Sequence, residues 1–431
     1  MASDVRRNFQ SQTTPVTAPS PRIDDAMLSL NDALDDLGKL RIRTDACKVD
    51  MTLSREEIGA SIDVFAHILQ NMIIPDLNAI PIDLELLRVI PDIEQSPYIK
   101  IDPGMYVMYY NALYYGLHQI RGPGDAVAQG MYLKVLEAVP AWLDTPGDKE
   151  IDGYTAALMT WTAINNHDYK LSWKFYCKAC HYIKIRKFDQ LDVIPARDFG
   201  EEEKRDEQRY LYWHILSTDT IFRLFHGKPT VVCQRPGLHR RISYTALFFL
   251  TRHILSCWNW KSRFVSKLTY TQIRWVPHKV RPPSLLRSNN MHPSMSQITL
   301  SVVWIRYTLL TAEMINQIDS CTNVEQDGVI QQKVDSFCTQ LEDLLAEWKL
   351  ESSLTDHTTT EVLRYLIADH VMAIYAIIIG IRRLVRPAGN QHFIDATTLR
   401  AARKVAQYTH DFTIAPVPQN LGQSVCIQYI Y

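Results

Sequence analysis

The stretch that most limits what this chain can fold into is Phe199 to Thr230, FGEEEKRDEQRYLYWHILSTDTIFRLFHGKPT. It opens on acids, Glu201 to Glu203, which suit the positive end of a helix dipole. Leu211, Ile215, Thr218, Phe222 and Phe225 then recur at helical spacing, and Trp213, Leu216 and Leu224 fill much of the remaining circumference. A helix that is apolar nearly all round needs neighbours on nearly every side, so the spacing predicts one in the middle of a helical bundle. Asp219 is the one acid in its apolar half, and a buried carboxylate requires a donor or a cation. Gly227 and Pro229 stop the helix, glycine by allowing a left-handed exit and proline by lacking an N–H.

The rest of the chain offers such neighbours. Ser54-Arg-Glu-Glu57 has capping-box spacing and predicts a helix through Ile58, Ile62, Phe65, Ile68 and Leu69. Pro75, Pro81 and Pro91 punctuate the connector that follows, and Pro103-Gly104 then admits an aromatic helix from Met105 to Ile120. Its Tyr106, Tyr109, Tyr110, Tyr114 and Tyr115 read as core rings with satisfied hydroxyls, the alternative being the lining of an apolar ligand pocket. Asp125 is placed to cap a helix from Ala126 to Leu143, and Gly153 to Asn166 with Tyr169 to Lys187 reads as a helical hairpin. Leu300 to Ile318, Val334 to Trp348, Glu361 to Leu384 and Thr398 to Phe412 are the remaining predicted helices. The fold class is all-α, a large helical bundle or superhelical stack. Met1 to about Arg22 is too polar to offset its ordering entropy, and Asp24 to Leu40 is a weak amphipathic helix. Residues 1–50 are therefore expected to be a disordered arm with a weak linker helix, and residues 51–431 one domain.

Composition excludes some classes. With 431 residues, 46% hydrophobic and 22% charged, the chain is an ordinary globular one, and its net charge of -1 gives no global pull on nucleic acid or anionic membrane. No apolar leader precedes residue 24, and the apolar run from Val371 to Ile381 is by itself too short to span a bilayer. Eight scattered cysteines without a secretory context read as reduced thiols of an intracellular protein.

Within the central stretch the order of parts is an acidic lead-in, Arg209-Tyr210, Tyr212-Trp213, Asp219, then Gly227-Lys228-Pro229. This resembles the signature of the fungal-specific transcription factor domain, the middle homology region of binuclear zinc-cluster regulators. Thr220 and Lys228 depart from it, each standing where that family usually has Arg. The resemblance extends less sharply over about 51–232 and 274–412, resuming at Arg274-Trp275-Val-Pro-His-Lys-Val-Arg-Pro-Pro283. It implies an all-helical regulatory domain in the nucleus that controls transcription. It also implies partners among other transcription regulators or a second copy, and a small-molecule effector. Contact with DNA would be only indirect or non-specific, and no membrane is implied. In the family a zinc cluster and a short linker come first, so the resemblance implies that this chain begins within that linker or has lost what came before. The alternatives are a helical scaffold that pairs with intact regulators, or a non-functional truncated fragment. Arg209, Tyr212, Trp213, Asp219, Gly227, Lys228 and Pro229 carry the signature as structural residues, with Arg209 and Asp219 as nodes of ion pairing or hydrogen bonding.

No catalytic or cofactor constellation competes with this reading. Cys177-Lys-Ala-Cys180-His181 has the pattern of a covalent haem attachment site, but it lies among Trp173, Phe175, Tyr176 and Tyr182, which suggest a packed helix. Only Cys177 and Cys180 are close in sequence, whereas a binuclear zinc cluster needs six cysteines in two short repeats, so zinc is expected only in a full-length family member. His167, Asp168 and Asp152 could form an acid–base group, and otherwise read as a solvated loop and a cap. Nucleophile elbow, helix-borne zinc-protease and kinase motifs are all missing, so no enzyme is expected.

Residues 233–272 form an anomalous insertion. Between Val232 and Glu313 there is no acidic residue, while Arg235, His239, Arg240 and Arg241 cluster beside the apolar run Tyr244 to Leu250 and Trp258 with Trp260. Two readings compete: a basic, aromatic surface for nucleic acid, or translated intron sequence. Val232-Cys233 can be encoded by a 5′ intron boundary, and Leu268 to Gln272 by a pyrimidine-rich 3′ end. Val425-Cys426 could open a second such boundary. An intron origin predicts that sequenced mature transcript lacks the codons for 233–272, and uninterrupted message through codons 232 to 273 would exclude it.

Overall fold

The structure is a computed structural model and describes residues 51–69, 82–94, 96–122, 125–166, 168–228, 280–283, 294–320, 327–357, 359–385 and 394–414. Among the described residues there are twelve α-helices and one 3-10 turn, and no strand. The arm 1–50, Pro75, Pro81, the insertion 233–272 and the residues after 414 lie outside this set.

The chain folds as successive hairpins. The first helix, α1 (Arg55–His67), begins as its capping box dictates: Ser54 Oγ accepts from the Glu57 N–H and Glu57 returns a bond from the Ser54 N–H. Helix α2 (Leu84–Glu94) occupies the described part of the connector and contains Pro91. Burial of Leu87 and Ile90 against α1 and α3 carries α2 one turn past the proline. Helix α3 (Pro103–Arg121) has Asp102 as N-cap and Pro103 at the first turn, and packs along α4 (Ala126–Leu143), capped by Asp125. Helices α5 (Glu150–Asn165) and α6 (Tyr169–Ile185) form the next hairpin, followed by the 3-10 turn Phe188–Gln190.

Helix α7 (Phe199–Phe225) then crosses the molecule. On one side it meets α5 and α6, and on the other α8 (Met295–Ser320) and α11 (Glu361–Leu384). Around these lie α9 (Asp327–Glu347), the short α10 (Leu350–Thr355), and α12 (Ala396–Ile414), which packs on α11. Sequence patterning missed α10, whose six residues hold only Leu350 and Leu354 as apolar anchors; it is set off from α9 by Lys349 in the left-handed region (φ 51). The buried apolar side chains form one continuous cluster that runs from Ile62 to Tyr408.

Two helical segments, Ile298–Asp319 and Leu363–Leu384, are long and apolar enough to cross a membrane by length and composition. The run from Val371 is thus part of a longer apolar helix than the run alone suggests. Within the fold 67% and 83% of those windows are buried, and α11 carries buried Asp369 and His370. These are the properties of core helices packed on protein.

Close approach of helices fixes where small residues are required. A Cβ on Gly116 of α3 would overlap the backbone of Ser61 in α1, whereas one on Gly59 would meet nothing. Gly116→Ala is therefore expected to lower stability by about 1–3 kcal/mol, because backbone cannot swing aside. Gly59→Ala should raise it by about 0.5–1 kcal/mol through helix propensity alone. Urea midpoints of the two variants check this, and equal midpoints would show that α1 and α3 do not touch at Gly116.

Candidate functional site

The signature residues all lie on or just beyond α7. Asp198 caps its first turn by accepting from the Glu201 N–H, and Glu201 and Glu202 sit at the positive end of the helix. The helix ends at His226, and Gly227 turns out of it at φ 59 while the Lys228 N–H closes back onto the Phe222 carbonyl. Nothing crowds a Cβ at Gly227, so the requirement there is the backbone angle alone. Pro229 lies outside the described residues.

Arg209 is the centre of the first cluster. Its side chain is 2% exposed, and its guanidinium meets three carboxylates. Nη2 donates to Asp192 Oδ1 at 2.6 Å, while Nη1 donates to Glu202 Oε1 at 2.9 Å and to Asp206 Oδ1 at 3.2 Å. A second guanidinium joins from far along the chain. Arg281 Nε donates to Asp192 Oδ1 at 2.9 Å, its backbone N–H to Asp192 Oδ2 at 2.6 Å, and Nη2 to Glu202 Oε1 at 3.1 Å. Trp213 adds a neutral clamp, its indole N–H donating to the Arg281 carbonyl at 3.0 Å, and Val280 beside it is fully buried. Burial pushes the Asp192 carboxyl up, but the Arg209 bonds outweigh it and hold the group below the ordinary carboxylate range. Burial likewise opposes the Arg209 charge, and the bonds to Asp192 and Glu202 overcome it, so the guanidinium stays protonated.

Asp219 sits nearly three turns on, fully buried, and accepts a hydrogen bond from the Tyr176 hydroxyl of α6. Burial, then the neighbouring Cys180 and Asp219, push the Tyr176 phenol far above its usual value, so it stays a donor. Burial also raises the Cys177 and Cys180 thiols, which disfavours their thiolate forms. Thr220, at the position of a family Arg, is buried and donates back to the Ser217 carbonyl. Lys228 Nζ lies 5.8 Å from the Trp173 ring centroid, a cation–π contact between the helix exit and α6. Tyr212 is buried in the core.

Arg209 and Asp219 are nodes, as the sequence predicts, but of separate networks. The sequence reading missed Asp192, Asp206 and Arg281 altogether and credited Glu202 to the helix dipole alone. A signal was present: Arg281 lies in the basic stretch where family resemblance resumes, and such a cation needs acids from elsewhere.

The remaining candidates disperse. In the Cys177 to His181 run, Cys180 is buried beside Tyr176, while Lys178 reaches the other way. Lys178 Nζ donates to the carbonyls of Trp142 at 3.0 Å and Thr145 at 3.2 Å. His181 is exposed, with Nε2 3.2 Å from the Pro146 carbonyl. The run is a packed helix, with its cysteines unpaired to each other. Asp152 is not in a solvated loop: it is buried and accepts from the Trp142 indole at 2.7 Å and the Lys149 N–H at 3.1 Å. Asp168 caps α6. His167 lies outside the described residues, and so do Cys47, Cys233, Cys257, Cys321 and Cys426. Tyr109 and Tyr114 are buried core rings, with the Tyr114 hydroxyl accepting from Asn166 at 3.0 Å. Among the described residues no group of three metal-ligating side chains converges.

The chain matches no family model, and no curated protein and no solved structure matches it.

Asp219→Ala strips Tyr176 of its buried acceptor and should cost about 1–3 kcal/mol, against about 0.5 kcal/mol or less for a surface acid. An unchanged urea midpoint would remove Asp219 from the core. Asp192 gives a pH signature. Its folded value is depressed, so its stabilisation is complete above the unfolded value, near 3.8, and is lost as pH falls through the lower folded value. Asp192→Asn should therefore be less stable than the parent at pH 7, with the gap closing below about pH 4. A gap that stays constant down to about pH 2 would contradict the pairing.

Proposed function

We propose that this chain is the regulatory domain of a fungal-type transcription factor, controlling transcription without a DNA-binding zinc cluster of its own. The observation that carries the reading is the Arg209 cluster. Arg209 and Trp213 belong to the signature, Arg281 belongs to the stretch where the resemblance resumes, and the three meet in one buried network. Residues that match the family only as separate stretches of sequence thus have a shared structural task. An inert, packed α7 with its polar groups turned on one another suits a domain that transmits a conformational state to partners better than one that performs chemistry.

On this reading the chain works in the nucleus, beside other regulators or a second copy of itself, and meets DNA indirectly or through non-specific phosphate attraction. The second reading, a scaffold that pairs with intact regulators, gains support from the exposed apolar side chains of Val193, Ile194 and Phe199, next to the Arg209 cluster in sequence.

The test joins the full chain to a heterologous DNA-binding domain carrying an activation domain, with a reporter as readout. The proposal expects the chain to change output by about five-fold or more, the lower end of ordinary coupling energies. It expects Arg209→Met to relieve that change at equal protein level. Output indifferent to the presence of the chain would overturn the reading. The purified chain should also show no stoichiometric zinc by elemental analysis and no discrimination among duplex sequences; either finding would contradict it.

A further inference from the structure

A cavity of about 490 Å³ opens where α10, α11 and α12 meet, at the opposite end of the chain from the signature hairpins. That volume falls in the ordinary range for small-molecule sites. Its walls are aromatic. Tyr365 of α11 and Phe412 of α12 lie with ring centroids 5.2 Å apart, and Tyr408 and the buried Leu354 complete the apolar side.

The charges around it are unevenly spent. Glu351 accepts from Tyr408 at 2.5 Å, Lys404 at 2.9 Å and Tyr375 at 3.1 Å. Burial raises its carboxyl, but the Tyr408 and Lys404 bonds win and keep it ionised. Lys404 is thereby committed to Glu351 and lies over the Tyr408 ring. Arg364 is different. It lines the cavity and makes no ion pair with any described residue; Nη2 reaches only the carbonyls of Thr359 at 3.3 Å and Asp356 at 3.4 Å, and Nε is buried without an acceptor. Asp411, the remaining acid on the lining, is exposed and sits beside His410 at 3.4 Å.

We propose that this cavity binds a small aromatic carboxylate, with the carboxyl group on Arg364 and the ring against Tyr365 and Phe412. A guanidinium is built to take a carboxylate through paired N–H donors, and Arg364, half-buried on the cavity wall with no ion pair to a described residue, is the group a ligand would complete. The aromatic walls supply the apolar half of the site and select a flat body. Asp411, on the same lining, disfavours a second negative charge, so a monocarboxylate is preferred over a dicarboxylate. The proposal stands independently of the regulatory reading and supplies that reading with an effector class.

The test is calorimetric titration of the full chain with 1-naphthoate, and in parallel with its neutral isostere 1-naphthamide. One-to-one binding is expected for the acid, at least ten-fold tighter than for the amide. Arg364→Met should abolish that preference and Arg364→Lys should keep part of it, which also guards against a variant that fails to fold. Asp411→Asn should tighten the acid and leave the amide unchanged. Equal binding of acid and amide, unaltered binding in Arg364→Met, or no binding of 1-naphthoate at millimolar concentration would each overturn the proposal. None of these outcomes bears on the reporter assay, so failure here is distinguishable from failure of the regulatory reading.

Discussion

The structure depends on one costly act, the burial of the Arg209 guanidinium. A charge taken out of water is tolerated only where its donors are met and its field is answered. Here three carboxylates answer it, from the loop before α7 (Asp192) and from the helix's own first turns (Glu202 and Asp206). The acids outnumber Arg209, and Arg281 reduces the excess to a single negative charge by entering from a segment 89 residues beyond Asp192. The residual negative charge falls on Glu202, whose side chain is 34% exposed and can still be solvated. Three distant pieces of chain are thereby held at one point, and none can leave without stranding a buried charge.

That point lies on the helix that joins the two halves of the fold. Helix α7 carries α5 and α6 on one side and α8 and α11 on the other. The fit to α11 is close, since a Cβ on Gly380 would come 3.0 Å from Leu224. Arg223 adds an ion pair to Asp319 of α8 at 2.6 Å. The hydrophobic burial of Trp213, Leu216 and Phe222 supplies the bulk of the favourable energy, at about 1.5–3 kcal/mol per large side chain. The polar nodes contribute little net stability and a good deal of registry: a one-turn slip of α7 would separate Arg209 from Asp192 and Asp219 from Tyr176 together.

How much of this was legible in the sequence depends on the range of the interaction. Local rules worked where partners are near: the Ser54 box, the Asp125 cap, the start and stop of α11 and the glycine exit at Gly227 all stand as the spacing predicts. Helical periodicity placed α7 at the centre because it has no polar face to give to water. Helix α2 runs past Pro91 because Leu87 and Ile90 are buried before it, which local proline rules do not register. Asp152 caps the start of α5 by accepting the Lys149 N–H, and its burial under the Trp142 indole is a tertiary feature that local spacing does not show. Arg281 and Asp192 were unreadable as a pair, since no local pattern links positions 89 residues apart. The cavity at Arg364 was equally hidden, because it is assembled from three helices whose faces meet only in the fold.

The central claim is that Arg209 and its acids act as a unit that fixes α7 between the two halves. A double-mutant cycle tests it most directly, with urea melts of the full chain, Arg209→Met, Asp192→Asn and the double variant. The account predicts a coupling energy of about 1.5 kcal/mol or more, because each single change leaves a buried partner unanswered and the double change removes both. Additive effects, with a coupling near zero, would mean that the two groups share a location but no energy, and the account would fall.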